Sequence, residues 1–222
     1  MFSLDIWNYW EELAWGVYST LMLSLAAMLL GLVVAILCAL IRTAGHGLLN
    51  RIVSIYVEVI RNTPFLVQIF LVYFGLPTLG IRFSPTGAAL LALVLNVGAY
   101  CTEIVRAGIE SIHKGQIEAG KSLGLSNLKI FFLIIIPPAI QNIYPALTGQ
   151  FILSMLSTSV LSAISAEELT SIAGDIQSRN FRTTEVYITV LILYYLITLV
   201  CMGLFALVAR WAFPSRYAKG MR

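Results

Sequence analysis

The chain has 222 residues, of which 59% are hydrophobic and only 11% charged, with a formal net charge of +3 and a mean hydropathy of +0.89. Soluble domains carry about 25% charged residues, so this composition argues against a soluble protein and for an integral membrane one, and the small positive balance gives no reason to expect nucleic acid. Cys38, Cys101 and Cys201 all lie in apolar stretches, an odd set that suits neither a disulfide framework nor a metal site.

The opening MFSLDIWNYWEELAW places Asp5, Glu11 and Glu12 where a signal peptide is positive. Trp7, Tyr9, Trp10 and Trp15 suit instead a short helix lying at a membrane interface, which sets off residues 1–17. A crossing helix needs about 20 apolar residues. Leu21 to Ile41 qualifies without a single charge. Phe65 to Leu79 is shorter, and Ile55 to Ile60 extends it backwards past Arg61. Pro85 to Tyr100 continues to about Arg106. Ile143 to Ile164 is the fourth crossing and the richest in Ser and Thr; Val186 to Ala209 is the fifth. Pro64, Pro77, Pro137, Pro138 and Pro145 fall near span ends, where helices start or bend.

Orientation follows from the Lys and Arg. With the N-terminus outside, the inner side holds Arg42, Arg51, Arg61, Arg106, Lys114, Lys121, Lys129, Arg210, Arg216, Lys219 and Arg222, and the outer side only Arg82, Arg179 and Arg182. The positive-inside rule then gives N-out, C-in. The longer connections are an inner one around 111–136 and an outer one around 165–185, with a short inner tail at 212–222. The expectation is one all-α membrane domain over 1–222 with five transmembrane helices. His46 and His113, away from any ligand cluster, read as solvated loop positions.

GQIEAGKS, residues 115–122, fits the P-loop pattern G-x-x-x-x-G-K-[ST]. The pattern needs a strand before it and small residues where backbone N–H groups approach phosphate. Here no strand precedes it, Ile117 and Glu118 occupy the turn, and both Asp residues, Asp5 and Asp175, fall on the outer side. Alone, the stretch reads as an amphipathic inner loop, either solvated or docked on a partner.

Shifted in register, EAGKSLGLSNLKIFFLIIIPPA, Glu118 to Ala139, resembles the EAA loop of ABC importer permeases: Glu118-Ala119-Gly120, then Gly124, then Ile134, Ile136 and Pro137. Gly120 stands where that motif has Ala, and Ile136 where it has Leu. EVIRNTPFLVQIF, Glu58 to Phe70, and GAYCTEIVRAGIESI, Gly98 to Ile112, resemble the polar amino acid subfamily, and the likeness runs from about Tyr18 to Arg216. The resemblance implies a type I importer transmembrane domain in a bacterial inner (plasma) membrane. It implies cytoplasmic ABC ATPase subunits that carry the ATP and Mg, no cofactor or catalytic residue on this chain, a second permease copy or sister subunit, and a periplasmic amino-acid-binding protein. It also implies that Glu118, Ala119, Gly120, Gly124, Leu125 and Pro137 form a coupling element on the ATPase. Gly124 can end a helix with positive φ, Ser126 suits an N-cap, and Pro137–Pro138 suit a fresh helix start. Where the subfamily often has Lys before a Thr-Ser or Ser-Ser pair, this chain has Leu156 before Ser157, Thr158 and Ser159.

Ionisable residues inside spans are costly and face a cavity or a partner. Glu58 and Arg61, and Glu103 and Arg106, each share a helix face and read either as local ion pairs or as pore groups. Gln68, Asn96, Glu103 and Ser159 are the candidates for a substrate path; hydrogen bonding between helices is the alternative. The outer segment AEELTSIAGDIQSRNFRTTE either docks a binding protein or is a solvated loop. A channel independent of ATP, or another integral membrane transporter, is the alternative function. A membrane-embedded hydrolase lacks its nucleophile, base and orienting group.

Overall fold

The computed structural model describes residues 8–43, 45 and 47–214, and every regular element among them is helical. Trp7, His46, Arg216, Lys219 and Arg222 lie outside the described residues. Four helical stretches are long and apolar enough to cross a bilayer: Trp10–Thr43, Pro85–Glu110, Asn127–Ile164 and Thr183–Ala212. A fifth crossing exists when Leu48–Arg61 and Phe65–Leu79 are taken together. The halves of that pair meet at 114°, at Pro64, one of the prolines where a helix was expected to start or bend.

Helix α1, Trp10–Thr43, has 34 residues, so it is about 51 Å long at 1.5 Å per residue. The aromatic segment expected to lie flat at the interface is, from Trp10 onward, the first turns of α1. Its buried face runs Gly16, Thr20, Ser24, Ala27, Gly31, Ala35 and Ala39. A small residue at every third or fourth position lets a second backbone come close, which is how helices associate where lipid is as apolar as the side chains. Helix α4, Pro85–Glu110, packs on this stripe with its own buried Ala88, Ala89, Ala92, Gly98 and Ala99. A Cβ on Gly31 would stand 2.7 Å from Val97 Cγ1. Leu23 and Ala27 cluster with Ala88 to Leu93, and Arg42 pairs with Glu103, so α1 and α4 run parallel. Ser84 caps α4 by accepting from the Gly87 N–H at 3.1 Å, and Pro85 opens its first turn.

Helix α2, Leu48–Arg61, and α3, Phe65–Phe70, are separated by Asn62-Thr63-Pro64. From α3 the chain continues through a π-helical turn, Leu71–Gly75, and a 3-10 turn, Leu76–Leu79. The inner hairpin follows α4: α5, Lys114–Ser122, then α6, Asn127–Ile130. A π-helical turn, Phe131–Ile135, joins α6 to α7, Ile136–Ser157, and a 3-10 segment, Thr158–Ile164, prolongs it. The fresh start expected at Pro137–Pro138 is the start of α7, although the π turn before it keeps the path helical from α6. Both prolines sit in the first turn of α7, where a missing N–H costs least.

The outer segment 165–185 is largely helical. Helix α8, Leu169–Asn180, buries Leu169, Ile172, Ala173 and Ile176. It is fastened along the outer end of α1: Trp15 Nε1 donates to Glu167 Oε1 at 2.7 Å, Thr20 Oγ1 accepts from the Leu169 N–H at 3.1 Å, and Arg179 pairs with Glu12. Gly16 permits this, since a Cβ there would stand 2.9 Å from Leu169 Cα. Helix α9, Thr183–Ala212, is held by Tyr144, whose hydroxyl donates to the Phe205 carbonyl at 2.8 Å. Leu191, Ile192, Tyr195, Leu196, Leu199 and Val200 on α9 are exposed, a surface suited to lipid.

Candidate functional site

The inner hairpin closes by local chemistry. His113 is exposed, as expected, and it also acts on the backbone, where its Nδ1 accepts from the Gly115 N–H at 3.1 Å and caps α5. At the other end the Leu125 N–H donates to the Gly120 carbonyl at 3.1 Å and the Gly124 N–H to the Lys121 carbonyl at 2.9 Å. With Gly124 at φ +73°, this is a Schellman closure, which needs a left-handed residue. Ser126 then caps α6 by accepting from the Lys129 N–H. Residues 115–122 thus lie in one helix, and no curled loop of N–H groups forms there.

Gly120 fixes the two arms to each other. It is buried, and a Cβ would stand 2.6 Å from Ile134 Cδ1 and 3.2 Å from Ile130 Cγ1. The departure from Ala is thus a close approach across the hairpin. Glu118 and Ala119 are exposed, Leu125 is half-buried, and Pro137 is exposed in the first turn of α7. The most exposed apolar side chains of the hairpin are Leu123 and Leu128, at 80% and 71%. Leu123 was not singled out in the sequence; its place just before the helix-closing glycine was the available signal.

At the α2–α3 break the last carbonyls of α2 run out of helical partners, although the Glu58 carbonyl keeps the Asn62 N–H at 3.1 Å. Side chains take over. Asn62 Nδ2 donates to the Glu58 carbonyl at 2.8 Å, and Thr63 Oγ1 to the Val59 carbonyl at 2.8 Å. Gln68 Nε2 donates to the Ile60 carbonyl at 2.8 Å and to Thr63 Oγ1 at 3.0 Å, while the Tyr100 hydroxyl reaches the Arg61 carbonyl at 3.5 Å. Asn96 Nδ2 donates to Gln68 Oε1 at 2.9 Å. Gln68 and Asn96 are therefore brought together as a clamp on the bend.

Beside this clamp lies a polar cavity of about 440 Å³, lined by Arg42, Glu58, Arg61, Asn62, Tyr100 and Glu103 among others. Asn96, Tyr100 and Glu103 recur at helical spacing on one face of α4. Glu103 is the hub of a network: it pairs with Arg42 and, at 2.7 Å, with Arg106, which pairs with Glu110 at 2.6 Å. The expected Glu103–Arg106 pair is present. Glu58 and Arg61 make no such pair among the described residues; the Arg61 guanidinium lies 5.5 Å over the Tyr100 ring. Ser159 stands apart, in a groove between the 3-10 segment and α9, so the four path candidates do not line one cavity. Arg42 and Tyr56, whose hydroxyl donates to the Leu95 carbonyl at 2.6 Å, complete this region and were not foreseen, because each acts on a helix distant in sequence.

Residues 27–213 match the family described as binding-protein-dependent transport system inner membrane component. The glutamine transport system permease protein GlnP of Escherichia coli (strain K12) is 38% identical over 197 residues, which span 88% of this chain and 90% of that protein. The L-cystine transport system permease protein TcyB of Bacillus subtilis (strain 168) is 36% identical over 191 residues, spanning 86% and 82%. The nopaline transport system permease protein NocM of Agrobacterium fabrum (strain C58 / ATCC 33970) is 37% identical over 214 residues, spanning 92% and 89%. A chain from the crystal structure of an amino acid ABC transporter with histidines matches with a TM-score of 0.88 at 36% identity, over 93% of this chain and 97% of that one. The MetNI methionine ABC transporter shares the fold at 21% identity, with a TM-score of 0.77 over 95% and 99% of the two chains. The chain therefore belongs to the family of binding-protein-dependent transport system inner membrane components, as a multi-pass permease subunit with the type I ABC importer fold.

Proposed function

We propose that this permease moves polar amino acids inward across the membrane, driven by ATP that separate ATPase subunits bind with magnesium and hydrolyse. The observation that carries this reading is the hairpin. Its second arm is not a tethered loop but the inner end of a membrane helix, since Asn127–Ile164 is one helical path. A partner seated on Leu123 and Leu128 would displace that helix directly. Glu118 and Lys121, both exposed, lie beside the apolar pair and suit charged groups on the ATPase.

The polar cavity supplies the substrate chemistry. An amino acid carries a carboxylate and an ammonium group, and the cavity offers Arg61 against Glu58 and Glu103 within one lining. In a low-dielectric site such groups act strongly. Glu103 is the path candidate that lines it, Gln68 and Asn96 support its wall, and Ser159 belongs to another groove. The glutamine, cystine and nopaline relatives favour polar amino acids and their derivatives as the class. A soluble binding protein delivers substrate to the outer platform of α1 and α8, and a second permease subunit completes the pore.

The test is uptake of radiolabelled amino acids by proteoliposomes holding the permease, its ATPase and candidate binding proteins. ATP-dependent uptake that needs a binding protein is expected. Replacing Glu103 by Gln should leave the ATPase bound and lower uptake at least about tenfold, the loss of one charge-assisted contact. Uptake without ATP, or without any binding protein, overturns the reading.

A further inference from the structure

One charged side chain among the described residues is fully buried and takes no part in the polar cavity: Glu168, in the outer turn before α8. A buried carboxylate is costly unless it is paired or hydrogen-bonded, and Glu168 forms no ion pair with a Lys, Arg or His among the described residues. Three donors hold it instead. The Thr170 N–H donates to Oε2 at 2.8 Å, the Ser171 N–H to Oε1 at 2.6 Å, and the Tyr194 hydroxyl of α9 to Oε2 at 2.9 Å. The Tyr194 oxygen is also 3.2 Å from Thr170 Oγ1, where either hydroxyl can donate. An N-cap alone is served by Ser, Asp or Asn. The longer Glu adds the reach to α9.

The surroundings allow this contact to open. Before it, Thr158–Ile164 is a 3-10 segment and Ser165 closes it at φ +54°, a left-handed conformation that a non-glycine residue adopts only under constraint. A 3-10 stretch is held by poorer hydrogen-bond geometry than an α-helix, so this helix end yields more readily than the turns before it. Beside the contact, a groove of about 580 Å³ separates α9 from the 3-10 segment, with Ser159, Thr170 and Tyr194 in its wall. Helix α8 itself is fastened to α1, at Trp15, Thr20 and Glu12.

We infer that Glu168 and Tyr194 form a latch that ties α9 to the fixed outer helix α8, and that a proton taken up by Glu168 from the outer side holds this latch shut. Glu168 is thus a positioning residue for transport, resting on the permease reading above. In the protonation step, a proton from outer water reaches the carboxylate through the groove and adds to Oε2. The new O–H then donates to the Tyr194 oxygen, whose own O–H turns to Thr170 Oγ1. No bond other than these is made or broken. Burial pushes the Glu168 carboxyl above its ordinary value, opposed by the Thr170, Ser171 and Tyr194 hydrogen bonds. The closed latch therefore binds the proton more tightly than an open, solvated one. Its closure is strongest below the ordinary glutamate value of about 4.3 and weakens as pH rises through the raised one. The titratable groups around it are few. Tyr194 faces it from α9, and α1 contributes uncharged Thr20 to the neighbouring backbone. Glu167, next in the chain, is held by Trp15; Asp175 and Arg179 lie further along α8, and Glu185 pairs with Arg182.

The test uses the assembled importer in proteoliposomes with the inner pH clamped and the outer pH stepped from neutral to acid. Uptake by the parent should fall on acidification. Glu168→Gln, which resembles the protonated form, should show the parent's acid-limit rate at every pH. Tyr194→Phe removes the tie itself, so its uptake should no longer fall on acidification; the bond it takes away also favours the carboxylate, so the carboxyl itself should titrate about 1 pH unit higher. Infrared difference spectra of the same complexes give a readout independent of transport: a buried carboxylic acid band should titrate in the parent and be missing in Glu168→Gln. If that variant does not assemble, the loss of acid inhibition in Tyr194→Phe decides. Pumping by the parent with a Tyr194→Phe or a Glu168→Gln uptake profile like the parent's overturns the latch and leaves the permease function standing. Absence of uptake by the parent, with the infrared band still titrating in place, overturns the function and not the buried proton site.

Discussion

Two kinds of glycine matter in this chain, one for its φ and the other for its missing Cβ. Gly124 closes α5 at φ +73° with open space around it, so a side chain there meets strain rather than a clash. Gly124→Val should store about 1–3 kcal/mol of strain and disturb the Leu123–Leu128 surface while the membrane helices still insert. The measurement is ATPase co-purification together with ATP-driven uptake; parental transport by this variant would remove the hairpin from the coupling role. Gly108 is the steric case. An added Cβ would stand 2.2 Å from Ile143 Cγ2, a branch fixed close to the α7 backbone. Gly108→Ala should cost about 1–3 kcal/mol through overpacking, whereas Gly149→Ala, which meets nothing within 4 Å, should melt no lower than the parent in detergent and gain up to about 1 kcal/mol. Gly124 and Ser126 were legible because a helix end is written in a few adjacent residues. Gly108 was not, because its constraint comes from a helix 35 residues later.

For the elements, the broken crossing is the most informative. Gln68 satisfies the Ile60 carbonyl and Asn96 at once. Gln68→Leu should leave both without partners, at about 1 kcal/mol for each half-buried group. Protease cleavage near Asn62 in membranes should then quicken; unchanged cleavage and stability would mean that water or other side chains serve the bend. The sequence carried the apolar length of this crossing and the proline within it. It did not reveal the 114° turn, because membrane helices often pass a proline with only a kink, and composition on both sides was equally apolar. The α1 stripe from Gly16 to Ala39 shows a period near four, but a helix that is apolar all round gives no contrast between faces. Glu168 escaped notice for another reason: Glu is not a favoured N-cap, and its partner Tyr194 lies on another helix.

Over the whole molecule, charge and packing agree on direction. Arg42, Glu103, Arg106 and the hairpin lie at one end; Glu12, Glu167 and Arg179 lie at the other. In a chain with its three cysteines replaced by alanine, Ser178→Cys should react with a membrane-impermeant thiol reagent from outside, and Ser122→Cys only after the inner face is opened. Both positions are exposed, so labelling of both from one side would refute the N-out arrangement. An all-helical membrane architecture with four or five crossings was readable because bilayer thickness acts on composition alone. The placement of α8 against α1 was not, since three contacts between segments about 150 residues apart decide it. The length of α1 has a mechanical consequence. It is a stiff beam about 51 Å long, grasped by α8 near its outer tip and by Glu103 near its inner one. Tilting such a beam by about 5° about one tip sweeps the other through about 4 Å. A small rocking of the outer platform therefore becomes, at the arginine that faces the cavity, a displacement larger than the length of a hydrogen bond.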